Sequence, residues 1–149
     1  MPRKTFFTVG YERTTLPGLI AALQGEGVKR VIDTRDVANS RRAGFSKTML
    51  SASLNEAGIG YLHLRALGTP KAGRIANRAG RMDEFRKIYE ESFQRPEAQL
   101  ALIEAEELCR AEATALLCFC GEETKCHRHR IAEALKEKGL RQREILFKA

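Results

Sequence analysis

The stretch Ala115–Gly139, ALLCFCGEETKCHRHRIAEALKEKG, decides the fold that this chain is expected to adopt. Its apolar beginning, Ala115–Cys120, predicts a buried strand, and a polar loop over Gly121–Lys125 follows. A helix is predicted from Cys126 onwards, because apolar residues recur at helical spacing and Gly139 is suited to end it. Such a strand–loop–helix unit places its loop at the carboxyl edge of a parallel sheet, where open α/β proteins bind ligands.

Cys126 lies at the predicted start of this helix, where free backbone N–H groups and the positive end of the helix dipole favour an anion. His127 and Arg128 follow it directly and add titratable or positive groups. Such surroundings can lower the pKa of a thiol from about 8.5 to roughly 3.5–7.5. Cys126 is therefore the first candidate for a catalytic nucleophile, with His127 beside it. A structural or ligand-positioning thiol and a metal ligand are the alternatives.

The cysteines raise the question of a metal site. Three of the four cysteines lie within Cys118–Cys126, which fits a reduced chemical or metal site better than a disulfide framework. Cys118 and Cys120 are two residues apart on a strand, so their thiols share a face. However, the spacing lacks the short cysteine knuckle of zinc sites, and His127 and His129 diverge on a helix. We therefore predict no metal site and no cofactor, with Cys118 as a small buried residue.

Apolar strands alternate with amphipathic helices along the rest of the chain. The further predicted strands are Thr5–Val9, Arg30–Arg35, Ile59–Leu64 and Arg143–Phe147. Leu67–Gly80 is rich in Gly, Lys and Arg, shows no periodicity and is predicted to be a long loop. The alternation predicts an α/β fold: one domain over residues 1–149 with a mainly parallel sheet of about five strands. Helices should cover both faces, as in three-layer Rossmann or flavodoxin-like proteins.

Residues that follow different parallel strands should meet, because these strands share one carboxyl edge. Asp33 and Arg35 end the second predicted strand. Asp33 could act as a general base, orient Arg35 or His127, or cap the next turn. Tyr11 follows the first strand, where it could stack on a ring of the substrate or be a half-buried core tyrosine.

Positive charge suggests the class of partner. The formal net charge of +7 favours acidic partners such as nucleic acid or small phosphorylated molecules. Arg35, Arg41 and Arg128 could together hold an anion through bidentate hydrogen bonds. Arg65–Arg81 carries five cations and no acid, so it is either a phosphate-binding segment or a solvated basic loop.

Composition excludes several broad classes. The chain is 43% hydrophobic and 30% charged, as in ordinary globular proteins and unlike disordered or membrane proteins. No apolar run reaches the roughly 20 residues that span a bilayer. The amino terminus also lacks the long apolar region of a signal peptide. We therefore expect a cytoplasmic protein without a membrane partner.

Four motifs, in this order, resemble the DUF488 family of small cytoplasmic proteins: VGYERTTLPGLIAAL, VIDTRDVANSRRAGFSKTML, IGYLHLRALG and LLCFCGEETKCHR. The resemblance runs from Thr8 to about Gly139 and implies a fold and a site location, not an established activity. It places the motif residues of the family on Asp33, Arg35, Ser40, Arg41, Phe45, Ser46, Cys126, His127 and Arg128. Ser40 thereby joins the candidate anion-binding residues. The family usually has a cysteine and, two residues later, an acid on the fourth strand, and here Cys118 and Cys120 take those places.

Three functions are compatible with these residues. The preferred hypothesis is an enzyme with an anion-binding cleft, acting through Cys126 on a nucleotide, nucleic acid or another phosphorylated or acidic substrate. The second is a nucleic-acid-binding module without catalysis, in which the same arginines contact phosphates. The third is a thiol redox or metal-binding protein built on Cys118, Cys120 and Cys126. Whether the protein is an enzyme stays open at this point.

Overall fold

Five parallel strands form one sheet in the described part of the chain, which comprises residues 4–40, 42–122 and 125–147 of a computed structural model. The strands are β1 (Thr5–Gly10), β2 (Arg30–Asp33), β3 (Gly60–His63), β4 (Thr114–Cys118) and β5 (Arg141–Ile145). Their order across the sheet is β3-β2-β4-β1-β5, and every pairing is parallel. Arg41, a predicted anion-binding residue, lies outside the described residues.

Helices cover both faces of this sheet. They are α1 (Leu16–Gly25), α2 (Lys47–Glu56), α3 (Lys71–Arg78), α4 (Met82–Phe93), α5 (Pro96–Ala111) and α6 (His127–Glu137), with a short 3₁₀ turn at Arg65–Leu67. The predicted three-layer α/β fold is thus confirmed. None of the helices in the described residues is long and apolar enough to cross a membrane.

Alternation along the strands divides the core into two layers. Phe6, Ile32 and Leu116 point to the face that is covered by α3, α4, α5 and α6. Their chain neighbours, among them Phe7 and Val31, point to the face that is covered by α1 and α2. Both faces of the sheet are therefore apolar, as is usual when crossover helices pack on parallel strands.

The predicted long loop over Leu67–Gly80 is wrong, because most of its residues form helix α3. The helix buries Gly73 and Ala76, and a Cβ atom on Gly73 would lie only 3.3 Å from a methyl group of Ile88. Small residues allow α3 to lie close to α4 but give no apolar periodicity. The sequence pattern therefore did not predict this helix.

At the carboxyl edge of the sheet, the backbone at the end of β1 lies very close to the backbone of the segment that follows β4. Tyr11 and Glu12 continue the pairing beyond the strand, because their N–H groups donate to the carbonyls of Cys118 (3.1 Å) and Phe119 (2.8 Å). Gly10 lies directly against Cys120. A Cβ atom on residue 10 would overlap the carbonyl group of Cys120. Only glycine fits this position without a backbone shift.

Gly10→Ala should therefore destabilise the protein by about 1–3 kcal/mol, the usual cost of overpacking. Gly25→Ala is the matched control, since nothing lies within 4 Å of the added methyl group and the residue is helical. Alanine there should be neutral or add about 0.5–1 kcal/mol. Urea unfolding of the two variants and the parent protein measures the difference. Equal stability of the two variants would contradict the close approach at Gly10.

Candidate active site

Three thiols meet at the carboxyl edge of the sheet. Cys118 ends β4, Cys120 lies two residues beyond it, and Cys126 caps the amino end of α6. Their sulfur atoms lie within 4.8 Å of one another, and those of Cys118 and Cys126 are 2.7 Å apart. Cys118 and Cys126 are only 1% and 3% exposed, whereas Cys120 is half-buried. The end of β4 and the start of α6 thus lie side by side.

The hydrogen bonds of the His127 ring determine which of its two nitrogens faces Cys126. Its Nε2 lies 2.8 Å from the carbonyl oxygen of Thr34 and 3.0 Å from Oγ1 of the same residue. A carbonyl only accepts hydrogen bonds, so Nε2 carries the hydrogen of the neutral ring. The other nitrogen, Nδ1, then has a free lone pair, and it lies 3.8 Å from the sulfur of Cys126. His127 is therefore placed to take the proton of this thiol.

Thr34 holds the histidine and was not predicted from the sequence. Its hydroxyl donates to the carbonyl of Leu117 (2.9 Å), and its N–H donates to the same oxygen (3.0 Å). Both bonds connect the end of β2 to the neighbouring strand β4. Its place between two motif residues, Asp33 and Arg35, is the signal in the sequence that could have drawn attention to it.

Arg128 is fully buried beside the thiols. Its Nη1 donates to the sulfur of Cys118 (2.8 Å) and to the carbonyl of Cys120 (2.6 Å). Its Nη2 lies 3.3 Å from a carboxylate oxygen of Glu144 on β5. The positively charged guanidinium group of Arg128 thus lies in direct contact with the cysteine cluster.

The surroundings of Cys118 and Cys126 shift the pKa values of these two thiols in opposite directions. Burial alone raises the pKa of Cys126, but hydrogen bonds from Cys118 and Cys120 and the positive charge of His127 outweigh it, so this pKa lies well below its ordinary value. Burial raises the pKa of Cys118, as do its hydrogen bonds to the other two thiols. The two directions favour Cys126 over Cys118 as the site of a thiolate.

Asp33 and Arg35 form a second buried cluster at the same edge. The guanidinium group of Arg35 donates to both carboxylate oxygens of Asp33 (2.8 and 2.7 Å). The Arg35 N–H (3.1 Å) and the hydroxyl of Tyr61 (2.6 Å) also donate to this carboxylate. Each oxygen thus accepts two hydrogen bonds, which leaves the carboxylate of Asp33 little capacity to accept a further hydrogen bond from a substrate. Its contacts orient Arg35, whereas His127 is held by Thr34.

The other predicted residues stabilise the loop around this second cluster. Arg35 also donates to the hydroxyl of Tyr11 (3.1 Å) and to the carbonyl of Phe45 (2.6 Å). The ring of Tyr11 is buried and stacks on Phe45 at 4.2 Å between centroids. Ser40 accepts a bond from the N–H of Arg42 through its hydroxyl (3.1 Å). Arg42, which was not predicted, donates to three backbone carbonyls at the start of the β1–α1 connection.

A metal ion has one candidate set of ligands in the described residues, namely Cys118, Cys120 and Cys126. Zinc–sulfur bonds of about 2.3 Å in a tetrahedral site place the sulfurs about 3.8 Å apart. The 2.7 Å contact between Cys118 and Cys126 is shorter than this, so these two thiols would have to separate around an ion. The absence of a metal stays a prediction.

Comparison with known proteins identifies a family but no activity. The family model described as "Domain of unknown function DUF488" matches residues 15–135. No curated protein and no solved structure matches the chain. The matched region contains both clusters except for Tyr11, which precedes it, and Glu144, which follows it.

Asp33→Asn should destabilise the protein by about 3–5 kcal/mol, because it leaves the charge of Arg35 buried without its partner. Asp36→Asn is the control, since Asp36 pairs with Arg65 and Arg74 at a partly exposed position and should cost about 0–1 kcal/mol. Urea unfolding measures both values. Unchanged stability together with loss of thiol reactivity would instead support the predicted general-base role of Asp33.

The thiol of Cys126 should ionise below about 8.5, its unperturbed pKa. Thiolate absorbance near 240 nm, followed against pH, should show one ionised group per chain that is lost in Cys126→Ser. Since the pKa is lowered in the folded state, the thiolate should stabilise the fold fully above pH of about 8.5, and this stabilisation should fade as the pH falls through the folded-state pKa. Cys109 is the internal control, because burial raises its pKa to about 12. A midpoint at or above about 8.5 for Cys126 would contradict the assignment.

Proposed function

Because the chain belongs to the DUF488 family, a domain of unknown function, we propose its function from its own residues: it is a thiol oxidoreductase of hydroperoxides. In this proposal Cys126 and Cys118 alternate between two thiols and one disulfide. The observation that carries the proposal is the 2.7 Å contact between their sulfur atoms. A disulfide bond is about 2.05 Å long, so only a small movement separates the two states.

The first step uses the thiolate of Cys126 as the nucleophile. Its sulfur attacks one oxygen of the hydroperoxide, the O–O bond breaks, and Cys126 becomes a sulfenic acid. The leaving oxygen takes the proton that His127 holds at Nδ1, 3.8 Å from the sulfur. The bonds from Nε2 to Thr34 keep the ring in this orientation throughout the step. The organic product is an alcohol, or water when the oxidant is hydrogen peroxide.

The second step closes the disulfide. The sulfur of Cys118 attacks that of Cys126, the S–O bond breaks, and hydroxide leaves as water with the proton of the Cys118 thiol. Over the two steps the two thiols lose two electrons and the hydroperoxide gains them. Arg128 donates to the sulfur of Cys118, so it stabilises negative charge as this thiol gives up its proton.

The thiols support this proposal better than the arginines support an anion clamp. Arg35 is bound by Asp33, Tyr11 and Phe45, and Arg128 is bound within the cysteine cluster. Neither guanidinium group is thus free of protein partners. A nucleotide, nucleic acid or phosphorylated substrate stays a prediction, as does the role of Arg41.

Stoichiometric hydrogen peroxide should convert the reduced, chelator-treated protein to a form with a Cys118–Cys126 disulfide, which peptide mass mapping detects. Cys109 should remain a thiol, since it is buried at 1% exposure and has no histidine beside it. His127→Ala should slow the oxidation by about 100-fold, the usual loss for an acid–base group.

Two controls make this result specific. Replacing both Cys118 and Cys120 by serine should stop the reaction at a sulfenic acid on Cys126, which a cyclic diketone traps. Oxidation of Cys126 without any disulfide in the parent protein would contradict the proposal. A tightly bound metal ion that occupies the three thiols before chelation, detected by elemental analysis, would also contradict it and assign them as ligands.

A further inference from the structure

The buried position of the proposed redox pair creates a problem for its reduction. Cys118 and Cys126 are 1% and 3% exposed, so a disulfide between them lies beneath the surface. A reducing thiol must reach one sulfur along the axis of the S–S bond. A small hydroperoxide needs little space, but a thiol reductant is larger. The cycle therefore needs a route that brings the disulfide to the surface.

Cys120 has the right position to provide this route. It is half-buried, and its sulfur lies within 4.8 Å of the sulfurs of both buried thiols. Its neighbour Phe119 is 46% exposed, so the segment after β4 reaches the surface at this point. The next residue, Gly121, donates its N–H to the carboxylate of Glu12 (2.8 Å), which ties the segment to the β1–α1 connection.

We propose that Cys120 is the exchange thiol, which carries the disulfide from the buried pair to the surface, where a thiol reductant attacks it. This inference rests on the proposed function. The sulfur of Cys120 attacks that of Cys126, a new S–S bond forms, and the bond to Cys118 breaks. Cys118 leaves as a thiolate and receives the proton of Cys120. No electrons are gained or lost in this internal exchange.

The surroundings favour Cys118 as the leaving thiol. Arg128 donates to its sulfur at 2.8 Å and stabilises the departing negative charge.

The negative charge of Cys126 affects the reactivity of the Cys120 thiol. In the reduced protein the hydrogen bond from Cys118 lowers the pKa of Cys120, but the hydrogen bond to Cys126, burial and the negative charge of Cys126 raise it to about 12. That charge is absent once Cys126 is in a disulfide. Formation of the disulfide thus removes one of the causes that raise the pKa of Cys120 in the reduced protein.

Reduction by an external thiol completes the cycle. A thiolate of the reductant attacks the sulfur of Cys120, the Cys120–Cys126 bond breaks, and Cys126 leaves as the thiolate that its surroundings favour. A second thiol of the reductant then displaces Cys120 from the mixed disulfide. The reductant loses two electrons and ends as its own disulfide.

The decisive experiment compares Cys120→Ser with the parent protein and with Cys109→Ala. All three proteins are first converted fully to the Cys118–Cys126 disulfide with hydrogen peroxide, so that only their rates of reduction are compared. Glutathione should then reduce the parent and Cys109→Ala at equal rates, and Cys120→Ser at least about ten times more slowly, because access limits exchange. Free-thiol release after rapid mixing measures the rate. Equal rates for all three proteins would overturn the role of Cys120 and leave the proposed function standing.

Mapping of adducts on the parent protein gives a second test that does not depend on the fold of a variant. During reduction by glutathione, the mixed disulfide should lie on Cys120. A glutathione adduct on Cys118 or Cys126 would overturn the inference. In Cys118→Ser, peroxide should give a Cys120–Cys126 disulfide, and absence of this bond would also overturn it. Absence of any disulfide in the parent protein is the separate outcome in which the proposed function fails.

Discussion

The carbonyl of Leu117 accepts two bonds from one residue, and the rest of the site depends on this interaction. Thr34 donates to it through both its N–H and its hydroxyl, and thereby fixes the end of β2 to β4. The same threonine then holds His127, the first residue of α6, through its carbonyl and its hydroxyl oxygen. One residue thus joins the ends of two strands and orients the histidine. The other nitrogen of the ring then lies 3.8 Å from the sulfur of Cys126, as the proposed thiol chemistry requires.

Both arginines that are buried in the described part of this edge have an acid partner. Arg35 pairs with Asp33, and Arg128 contacts Glu144. Such pairs contribute little net stability, since desolvation offsets much of their attraction, but breaking one leaves an uncompensated charge. In this protein the two ion pairs serve to hold neighbouring groups in place. The first pair fixes the loop after β2, and the second brings a positive charge to Cys118, at 2.8 Å from its sulfur.

Much of the fold could be predicted from the sequence, because buried strands and the stripe on α6 leave a periodic signal. The start of α6 at His127, capped by Cys126, agrees with the prediction. Helix α3 could not be predicted, since Gly73 and Ala76 make its packing surface without large apolar side chains. In the site, the residue types were informative but their contacts were not. Spacing alone does not show that a loop brings Cys118 against Cys126.

The order of the strands has a consequence for synthesis on the ribosome. β1 precedes β4 and β5 in the chain, yet it lies between them in the sheet, and their residues pair with it from more than a hundred positions further along the chain. At about 5–20 residues per second, β1 waits on the order of 5–20 s for its first neighbouring strand. During this time its apolar side chains have no sheet to join. The cysteine cluster closes only after β4 and α6 have both been made and have packed together, so a nascent chain that stops before α6 exposes thiols that the folded protein shields.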